Sequence, residues 1–216
     1  MPRILVINPN SSSSMTGQID AAMVPLRRLN IAAIEVVSLP EGPAGIESQQ
    51  DVERVVQPLL ARIRAEKADA NVIACFSDPG LHAAREMAGA PVFGIAESGI
   101  LAALARGSRF GILAILPTSI PRHLRYIAAM GVQDRLAGDR AIGLGIAELS
   151  DSETTFKRLC ATGAVLRDTD GADVLILGCA GMASLRDQLA KRLGIPIIEP
   201  TQAAVAAALG SLTLGW

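Results

Sequence analysis

The sequence predicts an α/β protein made of two similar half-domains, each built on a mostly parallel sheet. Three features predict this: short aliphatic runs that alternate with longer helical patterns, hydrophobicity that is continuous within those runs, and a group of segments that recurs in the same order in the second half of the chain.

Residues 4–7, 33–37, 72–74, 92–95, 112–116, 174–177 and 195–198 read as strands, because each is a β-branched or aliphatic run bounded by turn-forming residues. Helical patterns over 15–23, 82–87, 100–104, 153–166, 184–193 and 203–209 lie between and after them. Strand and helix in alternation give parallel sheets with crossover helices. Continuous hydrophobicity within the strands means that both sheet faces are covered.

The recurrence is read from four matches. ILVINPNS, starting at Ile4, matches ILAILPTS, starting at Ile112, an offset of 108. Ala68-Asp69 precedes Cys75 as Ala172-Asp173 precedes Cys179, an offset of 104. Each cysteine is followed by a helical stretch, a strand led by Pro91 or Pro196, and an Ala-rich helix. The matches together predict half-domains related by a pseudo-two-fold axis. Ligands of open parallel sheets bind beyond the carboxyl ends of the strands. Two such edges apposed would put Cys75 and Cys179 on opposite walls of an active-site cleft between the halves.

Composition narrows the class. The 216 residues are 50% hydrophobic and 19% charged, and 20 Lys+Arg stand against 21 Asp+Glu, so there is no field to attract nucleic acid or an acidic membrane. One Trp, one Tyr and four Phe supply little for stacking on bases. No apolar stretch approaches the roughly 20 residues of a membrane span, and MPRILVINPN has no basic leader or cleavage site, so a cytoplasmic protein is expected. Its expected partner is a small-molecule substrate, with no nucleic acid and no membrane, and a homo-oligomer is expected. Three cysteines, none in a CxxC pair, read as thiols rather than a disulfide framework. No Gly-rich dinucleotide fingerprint or phosphate-binding loop follows the first strand.

The cysteine loops carry the chemistry. Cys75 precedes Ser77-Asp78-Pro79-Gly80, a turn leading into a helix, and Cys179 lies between Gly178 and Gly181 before another. Both are placed at helix N-termini, where the dipole and unpaired N–H groups lower a thiol's pKa. Two thiols across a cleft can invert a carbon centre without a cofactor, one as base and one as acid. Asn10 and Ser11, matched by Thr118 and Ser119, offer hydrogen bonds to substrate carbonyls and to a developing enolate. Cys160 falls on a helix and reads as core. His82 and His123 lack metal-ligand spacing and read as surface or capping residues. Asp78 and Arg122 are the charges placed near the loops.

INPNSS followed by Met15-Thr16, ACFSDPGLHAARE and LGCAGM resemble the hydantoin racemase branch of the aspartate/glutamate racemase superfamily over nearly the whole chain. The resemblance implies two flavodoxin-like (Rossmann-like) half-domains, residues 1–97 with 205–216 and residues 98–204, the final helix returning to the first. It implies catalysis without metal, pyridoxal phosphate or other cofactor, with Cys75 and Cys179 as acid/base groups and Asn10 holding substrate. The loop donors fall on Phe76, Ser77, Thr118, Ala180 and Gly181. A 5-substituted hydantoin or allantoin-like cyclic ureide is the leading substrate class, since its ring carbonyls acidify the carbon and the loop donors are neutral. The alternatives are an aspartate/glutamate-type racemase, a maleate isomerase or arylmalonate decarboxylase-like enzyme, and a ligand-binding protein on the same fold.

Overall fold

In the computed structural model, which describes Met1–Trp216, the aliphatic runs form two four-stranded, all-parallel sheets flanked by helices. The chain divides into two units, Met1–Ser98 with Thr201–Trp216 and Gly99–Pro200. The first contains β1 (Arg3–Asn8), α1 (Ser13–Ala22), α2 (Val24–Arg27), β2 (Ala33–Ser38), α3 (Gln49–Arg54), α4 (Val56–Ala65), β3 (Ala70–Ile73), α5 (Leu81–Met87) and β4 (Val92–Gly94). Helix α6 (Ile95–Leu104) leads into the second unit's β5 (Phe110–Ala114), α7 (Ile120–Ala129), β6 (Leu136–Ala141), α8 (Ser152–Asp168), β7 (Val174–Leu177), α9 (Arg186–Leu193) and β8 (Ile197–Ile198). Helix α10 (Pro200–Leu214) closes the chain. No helix is long and apolar enough to cross a membrane.

The strand orders are β2-β1-β3-β4 and β6-β5-β7-β8, so both units wind alike, outward in both directions from a central pair. All four residues of β3 and all four of β7 are buried, as strands covered on both faces must be. Around the first sheet Leu5, Ile7, Leu59, Ile63, Ile73 and Leu81 form part of one apolar cluster. Truncating one such side chain to alanine costs about 2–5 kcal/mol, so the cluster fixes where the loops begin. Local signals set the helix starts. Ser12 caps α1 by accepting from Met15 N, Ser48 and Asp51 form a reciprocal capping box on α3, and Asp151 caps α8 through Thr154 N.

Two expectations need correction. Strand β6, of sequence LAGDRA, was not among the expected strands. It is an edge strand of intermediate burial, so it lacks the apolar run that marks its neighbours. The ladder also resets the first repeat. Ile7 pairs with Ile73 and Leu113 with Leu177, which keeps the later offset at 104 but makes the earlier one 106, not 108. A slip of two residues leaves every side chain on its original face, so the hydrophobic pattern alone does not reveal it.

Candidate active site

Each unit gathers its sequence-predicted site residues on the carboxyl edge of its central strand pair. In a 2-1-3-4 order the switch point lies between the first and third strands, where ligands of doubly wound sheets bind. Asn10 follows β1 and Cys75, Phe76 and Ser77 follow β3, on the two sides of that point in the first unit. Thr118 follows β5, and Cys179, Ala180 and Gly181 follow β7, in the equivalent places of the second.

The cysteines stand on the same rung. Ala74 N donates to Ile7 O and Gly178 N to Leu113 O, 2.9 Å in each case, and the next residue is the cysteine. Below that rung the loops differ. Cys75 is half-buried, packs against the apolar cluster and opens a turn closed by Asp78 N to Cys75 O at 3.0 Å. Helix α5 begins only at Leu81, capped by Gly80 in the left-handed conformation, so Cys75 is not in a helical first turn as the sequence suggested. The dipole fades within one turn and does not reach it through α5. Cys179 does cap a helix, the 3₁₀ segment Ala180–Leu185, with Met182 N donating to Cys179 O at 3.3 Å. It is buried, as are Ala180 and Gly181. No cysteine is in a disulfide.

Asn10 is buried and tightly placed. Its Oδ1 accepts from Asn8 Nδ2 at 2.9 Å and from Ser12 N at 3.0 Å, while Asn8 Nδ2 also reaches Thr16 Oγ1 at 3.0 Å. These bonds fix the oxygen inward and leave Nδ2, a donor, outside the network. Asn8, 1% exposed, holds Asn10 in place and was not among the residues expected here; a polar residue at the end of an apolar strand was the available signal. Thr118 is exposed on the 3₁₀ turn Pro117–Ser119, and by the ladder offset its counterpart is Ser12, not Asn10.

The two charges near the loops are engaged inside their own units. The buried Asp78 carboxylate accepts from Ala96 N and Glu97 N at 2.9 Å each, receiving the N-terminus of α6. Gly94 makes this possible, because any Cβ there would overlap the carboxylate. Arg122, buried, donates from Nη1 to Thr118 O at 3.0 Å and from Nη2 to Ser119 Oγ at 3.2 Å, holding the loop before α7.

The remaining candidates separate. Cys160 is half-buried on α8, where burial pushes its thiol up against the opposing pull of Arg192. His82 is exposed. His123 is not a surface residue: it is 4% exposed, and its Nδ1 pairs with Asp139 Oδ2 at 2.8 Å. Burial pushes the Asp139 carboxyl up, with His123 pulling it down. The partners are 16 residues apart on α7 and β6, so the pairing is invisible without the fold.

Residues 4–208 match the family described as Asp/Glu/Hydantoin racemase. A hydantoin racemase from Rhizobium meliloti is 38% identical, the match covering 99% of this chain and 90% of that protein. An allantoin racemase from Klebsiella pneumoniae superposes with a TM-score of 0.92 at 34% identity, over 100% of this chain and 89% of that one. An allantoin racemase from Pseudomonas fluorescens gives the same TM-score at 25% identity, over 99% and 92%.

Proposed function

Because the chain belongs to the Asp/Glu/hydantoin racemase family and is an isomerase of the racemase type, we propose that it racemises a 5-substituted hydantoin or an allantoin-like cyclic ureide, with Cys75 and Cys179 as its acid/base pair and no cofactor. The observation that carries the mechanism is the shared rung: both thiols follow the residue whose N–H ties the third strand of the unit to the first. One thiolate removes the proton from the stereocentre, and the other thiol delivers a proton to the opposite face. The roles exchange for the other enantiomer. Asn10 Nδ2, Thr118, and the loop backbone at Phe76, Ser77, Ala180 and Gly181 are assigned to the substrate carbonyls and the enolate oxygen.

A neutral substrate is supported by what the nearby charges do. Asp78 is committed to the α6 N-terminus and Arg122 to the Thr118–Ser119 loop, so these two charges already have structural work. The ring carbonyls of a hydantoin also make its carbon acid stronger than that of a free amino acid, which suits thiol bases.

The test is incubation in deuterated water with 5-substituted hydantoins, allantoin, aspartate and glutamate in parallel. The expected result is loss of optical activity with one deuterium gained at the stereocentre of a cyclic ureide. Turnover of aspartate or glutamate alone would replace the substrate assignment, and absence of exchange with every compound would overturn the racemase reading.

A further inference from the structure

The loop that carries Asn10 is held from outside by the connection between β2 and α3, residues 39–48. That connection is anchored in the apolar cluster of the first unit at two points, Leu39, 1% exposed, and Ile46, 7% exposed. Three hydrogen bonds tie it to the Asn10 loop. Leu39 N donates to Asn10 O at 3.2 Å, and Ser11 N and Ser11 Oγ both donate to Pro43 O, at 2.9 and 3.2 Å. Both donors of Ser11 thus face the connection.

Gly42 lets the two segments touch. It bends the connection into a turn by donating its N–H to Leu39 O at 2.9 Å. A Cβ at this position would overlap Pro9 O and stand 3.0 Å from Asn10 Cα and 3.1 Å from Leu39 O. These are backbone atoms, which cannot swing aside as the end of a side chain can. The φ of Gly42 is not in the left-handed region, so space alone excludes a side chain here. The second unit braces its polar loop differently. Ile142, Gly143 and Leu144, after β6, donate to Ala114 O and Ile115 O at 2.9 to 3.1 Å, while the Thr118–Ser119 turn is held by the Arg122 side chain. The loop before α7 is braced by a guanidinium where the loop before α1 is braced by backbone.

We propose that the 39–48 connection positions Asn10 for the reaction, with Gly42 as the positioning residue at the contact. The connection sets where the Asn10 backbone sits, and the bonds from Asn8 and Ser12 N set which way its amide turns. Together they aim Nδ2. A catalytic donor displaced by about 1 Å can lose most of its effect, so a methyl group at position 42 is felt at the substrate although Gly42 acts only through Asn10. The inference rests on the assignment of Asn10 Nδ2 to the substrate.

The test is Gly42→Ala, read on kcat/KM for racemisation in the wild-type and in an Asn10→Ala background. Alone it should lower kcat/KM at least about tenfold, and beside Asn10→Ala by less than about twofold, because the group it displaces is already gone. In the unliganded protein it should also shift the side-chain amide NMR signals of Asn10. Ser11→Ala loses one tie and keeps the others, so it should fold normally and lower kcat/KM about threefold, again only while Asn10 is present. Glu41→Gln, exposed on the same connection, should leave rate and signals unchanged. Equal falls in both backgrounds would overturn the proposal, by showing an action that does not pass through Asn10. A wild-type rate or unmoved Asn10 signals in Gly42→Ala would overturn it too, and if that variant does not fold, Ser11→Ala decides on the same readings. Absence of racemisation by the wild-type protein would instead remove the reaction reading, and the Asn10 signals would then decide the positioning alone.

Discussion

Ala74 and Gly178 occupy the same rung of their sheets, yet one carries a methyl group and the other has no room for one. Each donates its N–H to the first strand of its unit at 2.9 Å, and each is followed by a cysteine. At Gly178 an added Cβ would stand 2.7 Å from Leu113 O and 3.2 Å from Ala114 Cα, so β7 leaves the sheet hard against β5. The first unit leaves with a methyl group at this rung, into a turn that ends on Asp78, whose carboxylate serves α6. Duplicated architecture has kept the position of the thiols and let their surroundings diverge. One is half-buried at a turn, and the other is buried at the start of a 3₁₀ helix.

The largest effects should come from the cysteines themselves, and they test whether unlike surroundings still give complementary roles. Cys75→Ser and Cys179→Ser should each lower racemisation by about 10²–10⁴-fold, because a hydroxyl is a far poorer base than a thiolate. Each mutant should keep hydrogen–deuterium exchange, with retention, for the one enantiomer its surviving thiol serves. Exchange and inversion are therefore to be measured separately, for both enantiomers with both mutants. Racemisation at the wild-type rate by Cys179→Ser would end the symmetric reading.

The glycine rung sharpens the same comparison at the level of stability. Gly178→Ala forces a methyl against backbone that cannot turn aside, and should cost about 1–3 kcal/mol in urea unfolding. It should also lower kcat, by displacing Cys179. The reverse change, Ala74→Gly, should cost only about 0.5–1 kcal/mol, the entropy of a glycine in ordered chain. Similar losses for both would mean that the close approach of β7 to β5 is not what distinguishes the units.

The polar loops differ in the same way. Asn10→Ala removes a buried acceptor used by two donors, and should cost about 1–3 kcal/mol of stability while raising KM. Thr118→Ala, at an exposed turn, should change stability by less than about 0.5 kcal/mol. If it nevertheless raises KM as much as Asn10→Ala does, Thr118 acts on substrate despite its different place in the repeat.

How much of this was legible in the sequence follows the distance over which each feature is decided. The strands around Ile4, Val72 and Val174 were readable because a strand buried on both faces must be apolar throughout. Both cysteine loops were readable because Gly, Pro and Asp mark where the chain must turn. Strand β6 was not, since LAGDRA owes its place to pairing with β5 rather than to its own residues. The role of Asp78 depends on α6, 18 residues away, and on the bare Cα of Gly94. The His123–Asp139 pair arises only once separate segments pack together. The two-residue slip at the first repeat stayed hidden because it preserves side-chain alternation, and only the ladder distinguishes 106 from 108.

The smallest expected effect concerns the third cysteine, and it is the control on the pairing of the other two. Cys160 lies on α8, away from the strand-end rung, and burial holds its thiol above the ordinary range despite the nearby Arg192. A thiol raised in this way stays protonated at neutral pH, so it is a poor nucleophile and a poor base there. Its alkylation by iodoacetamide should be slow at pH 7 and quicken as pH rises through its elevated pKa. Cys160→Ala should leave racemisation of both enantiomers at the wild-type rate and shift stability by about 1 kcal/mol or less. If Cys160→Ala abolishes racemisation while Cys179→Ser does not, the catalytic thiols are not the two that share a rung. The comparison between the halves would then describe their folding history and not their chemistry.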